Sequence, residues 1–154
     1  MPDSILNYPI TNPILFRAAA ALPGAGALDA TPLEVAVPYM SKLKLYCTYT
    51  RAAVGGSVDM LIQYAPRSGD IPVLEDWFTQ TEYSAAVLAP GADSTSFLQR
   101  ELLRYTSTAA GAECFIVSID IDSTVERVRV ACREVGAVAN PGAVSIYGFA
   151  YSNQ

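Results

Sequence analysis

Strict alternation of apolar and charged residues near the C-terminus is the feature that most constrains the fold. Over residues 126–135 the two faces are Val128, Val130 and Cys132 against Arg127, Arg129 and Arg133. A period of two with one apolar face is typical of a half-buried β-strand. Residues 113–121 and 143–151 show the same period. The C-terminal third is therefore predicted to form three antiparallel strands.

The last of these strands is apolar on both faces. One face is aliphatic, and the other presents Tyr147, Phe149 and Tyr151. A strand with two apolar faces is normally covered on both sides. We therefore expect each face to be covered, either by an opposing sheet or by a partner protein. Tyr151 is among the residues predicted to bind that partner.

Alternation also predicts strands earlier in the chain. Residues 42–51 and 57–65 flank a Gly55-Gly56 turn and are predicted to form a β-hairpin. Residues 94–105 fit both periods, and we interpret them as a strand because they lie among strands. Further strands are expected at 33–37 and 82–88. Turns at regular intervals between eight or nine strands predict an all-β, two-sheet antiparallel sandwich of jelly-roll-like form over residues 33–154.

Residues 1–32 differ from the rest of the chain. Five prolines interrupt them, and their apolar residues have no sustained period, which favours extended chain over a long helix. One helical turn is predicted at 18–22. We expect an extended N-terminal arm that leaves the sandwich and lies on a neighbouring subunit, with contacts made by Ile10, Ile14, Leu15 and Phe16.

Charge bears on the class of partner. Charged residues make up 16% of the chain, below the roughly 25% typical of globular domains, which suggests that part of the surface is buried in an assembly. A net charge of −5 argues against nucleic acid as a partner. No uninterrupted apolar run approaches the length of a membrane-spanning helix, so no membrane partner is expected.

The sequence contains few residue patterns that are typical of a catalytic site. The absence of histidine excludes Ser-His-Asp and Cys-His arrangements and makes a zinc site improbable. Paired carboxylates for glycoside hydrolysis are a weaker alternative. We expect no enzyme activity and no cofactor. The Asp120–Asp122 turn is either a calcium site or a turn whose side chains satisfy its own backbone.

Three cysteines, Cys47, Cys114 and Cys132, fall inside predicted strands. We interpret them as reduced, buried thiols. The alternative, a Cys114–Cys132 bridge, requires an oxidising compartment.

Arg127, Arg129 and Arg133 concentrate positive charge on one strand face of an acidic protein, and we call them the arginine stripe. One interpretation is an exposed sheet face with partners in the same chain such as Glu113. The other is a patch that docks on carboxylates of an adjacent subunit. The lone Trp77 is expected to cap the core, with its indole N–H bonded to a backbone carbonyl.

Taken together, the hairpin at 42–65, the lone Trp77, the Val-Arg-Val strand, the Gly-Pro turn and the terminal 142–150 strand resemble a known family. They are similar to the small jelly-roll decoration or cement proteins of tailed-bacteriophage capsids. The resemblance covers residues 42–151. It implies a non-enzymatic virion protein on the outer surface of the capsid, assembled in the host cytoplasm. It also implies binding to the major capsid protein and self-association as a homodimer or homotrimer.

A different class remains open beside it. Trp77, Phe78 and the nine tyrosines also suit a carbohydrate- or receptor-binding sandwich module of a virion or tail. Exposure of Trp77 distinguishes the two, because a sugar platform needs an accessible indole face.

Overall fold

A computed structural model describes residues 12–67, 77–79, 82–83, 97–98, 103–121, 124–136 and 138–152. Eleven strands lie in these ranges. They are β1 (Ile14–Ala21), β2 (Val35–Ala36), β3 (Lys42–Arg51), β4 (Ser57–Pro66), β5 (Phe78–Thr79), β6 (Glu82–Tyr83), β7 (Phe97–Leu98), β8 (Leu103–Thr106), β9 (Gly111–Asp120), β10 (Val125–Glu134) and β11 (Ala143–Tyr151).

The long strands form two antiparallel sheets packed face to face. Sheet A has the order β1-β11-β3-β9, and sheet B the order β2-β10-β4-β5, with β8 also paired to β4. The short strands β6 and β7 pair separately. From β1 to β4 and from β9 to β11, consecutive strands alternate between the two sheets, which is the arrangement of a jelly roll. The predicted all-β sandwich is therefore confirmed.

Strand bounds follow the alternation closely, but one predicted pairing is wrong. The hairpin expected over residues 42–65 does not form, because β3 pairs with β11 and β9 while β4 pairs with β10. Each of the two strands has one apolar face. Crossing from one sheet to the other lets these faces meet in the core, whereas a hairpin would place them side by side.

The described part of the proposed arm belongs to the sandwich of its own chain, which corrects the expectation that it leaves. Residues 14–21 form edge strand β1, paired with β11, and the predicted helical turn at 18–22 is instead mostly strand. A register shift after Leu15 turns both Phe16 and Arg17 inward. Phe16 is 1% exposed and lies over Gly148, where an added Cβ would come within 2.5 Å of its ring.

Arg17 and Asp29 join the two sheets at this edge. The Arg17 guanidinium donates to both Asp29 carboxylate oxygens at 2.8 and 3.0 Å and to the carbonyl of Val144 in sheet A at 2.6 Å. Asp29 accepts in turn from the backbone N–H of Cys132 in sheet B at 3.0 Å. The backbone N–H of Asp29 bonds the Cys132 carbonyl at the same distance. The segment after β1 is thereby held along the edge of β10.

The core lies between the inner faces of the sheets. Sheet A contributes aliphatic and aromatic side chains from four strands, and sheet B contributes those of β2, β4 and β10. The fully buried members include Leu43, Leu45, Tyr49, Val58, Met60, Val128, Val130, Val144 and Ile146. Within the described ranges, no helix is long and apolar enough to cross a membrane.

The ambiguous segment 94–105 contains two short strands where it is described. β7 covers Phe97–Leu98, and β8 begins at Leu103 and pairs with β4. The interpretation as strand therefore holds for those residues. The strand expected at 82–88 is described only at Glu82–Tyr83.

Candidate interaction surfaces

The arginine stripe lies on the outer face of sheet B, as predicted, and each member has a partner in its own chain. Arg127 bonds Glu34 at 3.1 Å, Arg129 bonds the side-chain oxygen of Gln63 at 2.7 Å, and Arg133 bonds Asp59 at 3.2 Å. Glu113, one partner proposed from the sequence, instead accepts from Tyr105. Docking by the stripe on another subunit stays a prediction.

Asp59 anchors one end of the stripe. It is fully buried and accepts two hydrogen bonds from Arg104, at 2.7 and 3.0 Å, in addition to the one from Arg133. Burial by itself would raise the pKa of this carboxyl. The hydrogen bonds and charges of the two arginines outweigh burial and hold the pKa below its usual value. Arg133 of the stripe, together with Arg104 outside it, therefore neutralises a buried carboxylate.

Trp77 does not cap the core between the sheets, so that expectation is wrong. Its ring lies against the arginine stripe, with the guanidinium carbons of Arg129 and Arg127 at 4.4 and 5.2 Å from the ring centroid. These are cation–π distances. The indole is half-buried, and two guanidinium groups already lie over its ring. Both observations argue against a sugar-binding platform at this position.

The outer face of sheet A has a feature that alternation alone did not reveal. Four exposed apolar or aromatic residues lie directly opposite one another across the four strands, because Leu15 pairs with Tyr147, Tyr147 with Tyr46, and Tyr46 with Ile116. We call them the outer row. Their exposures are 38% for Leu15, 50% for Tyr147, 43% for Tyr46 and 54% for Ile116.

Further groups surround the outer row. Phe149 contacts the Tyr46 ring edge-on at a centroid distance of 5.7 Å, and the Lys44 ammonium lies 5.9 Å from the same ring. Half-buried Tyr151 shares this face next to Lys42, which pairs with Asp120 at 3.8 Å. An apolar centre with a charged margin is the usual anatomy of a protein interface.

The other residues predicted to bind a partner are placed differently. Phe16 is buried in the core, and Ile14 is half-buried and packs against it, so neither is available to a neighbouring subunit. Only Leu15, among the described residues predicted from the arm, faces outward. Ile10 lies outside the described residues.

A buried carboxylate that the sequence reasoning missed closes one end of the sandwich. Glu134 is 1% exposed. It accepts from the Tyr49 hydroxyl at 2.8 and 2.9 Å, from the Gly142 N–H at 3.2 Å and from the Arg51 guanidinium. Its position in the alternation of β10, on the same face as Cys132, was the available signal. Tyr49 and Arg51 lie on β3 of sheet A, and Gly142 immediately precedes β11 of the same sheet, so Glu134 links the sheets.

The cysteines are free, as expected, but only two are buried. Burial raises the pKa of Cys47 and of Cys132 to about 12. Cys114 is exposed, because it points outward from edge strand β9, next to Thr48 at 3.6 Å. A Cys114–Cys132 bridge is ruled out, since the two strands lie in different sheets.

No group of three or more potential metal-binding side chains occurs among the residues that the structure describes. Asp122 of the suggested calcium turn lies outside those residues, so that alternative stays a prediction.

Comparison with known proteins adds information on the fold. No protein-family model and no curated protein sequence matches the chain. Among solved structures, the SPBc2 prophage-derived protein YomS aligns with a TM-score of 0.45 and 13% identity, over 98% of this chain and 100% of that one. The structure of infectious bursal disease virus, Gx strain, aligns with a TM-score of 0.52 and 9% identity, over 95% of this chain but 32% of that one. At 9% identity the likeness shows the fold alone.

Proposed function

We propose that the chain is a non-enzymatic structural protein of a virion, which decorates and cements a tailed-phage capsid by binding major capsid protein subunits on the outer surface. Assembly then takes place in the host cytoplasm. The observation that supports this function most is the outer row, an uninterrupted apolar strip on a sheet face that the described residues leave exposed. The family resemblance over residues 42–151 and the jelly-roll fold agree with it.

The composition of the outer row suits a protein partner. Two of its four members are tyrosines, which are enriched in interfaces because they bury a large area at low entropic cost. Spanning four strands, the row is about 14 Å long at a strand spacing of about 4.8 Å. Contiguous exposed apolar surface on a soluble domain commonly marks a binding site.

The charged groups at the margin suggest how the surface is oriented on its partner. Lys42 and Lys44 lie beside the outer row on β3, and Lys42 has one exposed carboxylate, Asp120, at 3.8 Å. An acidic rim on the capsid subunit would complement these lysines and set the docking register more than the affinity. The arginine stripe, on the opposite face of the sandwich, is a second contact site in this proposal.

Co-sedimentation with purified shells, assembled from the capsid protein encoded in the same genome, tests the proposal. The variant Tyr46→Thr/Tyr147→Thr removes both rings while keeping residues that favour strands. We expect wild-type protein to sediment with shells and the variant to lose most of its occupancy while remaining folded. Tyr39→Asn is the matched control, since Tyr39 is 73% exposed, lies off the row and has a positive φ that asparagine tolerates. Full occupancy of the double variant would contradict the proposal.

A carbohydrate- or receptor-binding module is the second candidate function. The exposed rings of Tyr46 and Tyr147 favour it, because aromatic side chains are common in such binding sites. Glycan-array binding by wild-type protein that is lost in the same double variant, together with no binding to shells, would support this function instead.

A further inference from the structure

We infer that edge strand β9 pairs antiparallel with β9 of a second copy of this chain, centred on Ile116, so that the two A sheets join into one eight-stranded sheet. The inference goes beyond the proposed function and specifies the self-association that the family resemblance implies. It concerns the free protein, so its test is independent of binding to shells.

The first support is the geometry of β9. It is ten residues long and pairs with β3 in continuous register from Gly111 to Asp120, without a bulge. Among the described residues, its other edge has no backbone partner. A long, regular edge strand is a template for another strand, and proteins normally block such edges with prolines, lysines or bulges.

The second support is the sequence of β9, which contains none of those blocking devices. Residues 114–119 are Cys, Phe, Ile, Val, Ser and Ile, with no charge, proline or glycine. Uncharged six-residue segments rich in β-formers are the type that associates when exposed on an edge. The central side chain, Ile116, is the most exposed member of the outer row at 54%.

Backbone direction determines which residues can pair. The Ile121 N–H bonds the Ser41 carbonyl at 2.9 Å, in the same register as the β3–β9 ladder. Odd-numbered residues of β9 therefore direct their N–H and C=O groups to β3, and even-numbered residues direct theirs to the free edge. The residues available to a second strand are Ala112, Cys114, Ile116, Ser118 and Asp120.

A two-fold axis at Ile116 uses all of these groups. Ile116 then faces its own copy, Cys114 faces Ser118, and Ala112 faces Asp120, which gives about ten N–H···O bonds in an antiparallel ladder. The acidic Asp120 residues of the two copies lie about 27 Å apart at about 3.4 Å per residue. That separation is well beyond the Debye length of about 8 Å, so their repulsion is screened.

The same register explains why the second strand comes from this chain. Ile116 ends the outer row at the β9 edge. When it meets Ile116 of a second copy, the two outer rows become one continuous strip across eight strands. An added strand also covers the groove of ≈ 390 Å³ between the β9 and β8 edges, where Leu103 is 41% exposed.

Sedimentation analysis of the full chain over a dilution series tests the inference. We expect wild-type protein at twice the 16.4 kDa chain mass. Ser118→Pro removes only an N–H directed to the free edge, and Ile116→Lys adds a charge at the axis. Both variants should remain folded and become monomeric. Val54→Lys, a charge at a residue 62% exposed in the β3–β4 turn, should remain dimeric.

Disulfide trapping then checks the register. In a Cys114→Ser background, Ile116→Cys should form a covalent dimer under oxidised glutathione, whereas Val54→Cys should not, because only the former places two thiols opposite each other. A monomeric or trimeric wild type, or a dimer that survives both Ser118→Pro and Ile116→Lys, would overturn the inference. A wild-type protein that is dimeric but does not bind shells would count against the proposed function alone.

Discussion

Replacing Phe16 by alanine is the sharpest test of where the N-terminal residues belong. The ring is 1% exposed and lies against Gly148 in the core cluster, so its removal leaves a void in the core. Phenylalanine-to-alanine changes in cores cost about 3–5 kcal/mol, a large part of the 5–15 kcal/mol that typically stabilises a domain. For a chain of this length, about 2–4 °C is lost per kcal/mol. We expect the melting temperature to fall by roughly 10 °C.

Leu15 provides the matched control in the same strand. It is 38% exposed and points to the other face, so Leu15→Ala should cost about 1 kcal/mol or less. Thermal unfolding followed by circular dichroism measures both variants. Equal, small decreases in melting temperature for the two variants would contradict the placement of Phe16 in the core and would show that β1 leaves the sandwich in solution. Deleting Met1 to Ala30 should likewise destabilise the sandwich, because it removes β1 together with Asp29.

Three further predictions concern buried polar groups and thiols. Glu134→Gln should lower the free energy of unfolding in denaturant titrations by about 3–5 kcal/mol, because it leaves a largely buried arginine without its counter-charge, whereas Tyr49→Phe, which removes one donor from a carboxylate that keeps its other partners, should cost about 1.5–3 kcal/mol. Iodoacetamide should label one thiol of the native protein, Cys114, and three after unfolding; mass spectrometry counts them, and three labels before unfolding would contradict the burial of the other two. The pKa of Asp59 is lower in the folded than in the unfolded state. The contribution of this carboxylate to stability is therefore present above its unfolded-state pKa of roughly 3.9 and is lost as the pH falls through its folded-state pKa. Melting temperatures measured downward from pH 5 should therefore fall more steeply in wild-type protein than in Asp59→Asn, which starts from a lower stability.

Much of the local structure could be predicted from alternation. Strands β3, β10 and β11 begin and end within one residue of their predicted bounds, since side-chain direction along a strand depends only on neighbouring residues. The face of the arginine stripe followed from the same period. A slip of one residue would have buried three charges.

Pairing between strands could not be predicted in the same way. Alternation gives β3 and β4 one apolar face each. The two strands could satisfy that pattern equally well by pairing as a hairpin in one sheet or by lying in opposite sheets. The choice depends on residues far apart in sequence, because β3 lies between β11 and β9. The N-terminal segment shows the same difficulty: its register shift hides the period of β1, so Phe16 did not stand out as a core residue.

Sequence by itself determined the all-β class, the orientation of the arginine stripe and the absence of histidine-based chemistry, because each depends on local period or composition. Only the tertiary structure decided which surfaces are open. Leu15, Tyr147, Tyr46 and Ile116 are distant in the chain and become one strip only through strand register. Cys114 and Cys132 both lie inside strands predicted from the sequence, yet one is exposed and the other buried. The difference arises because β9 lies at the edge of its sheet with Cys114 directed outward, whereas Cys132 faces the core.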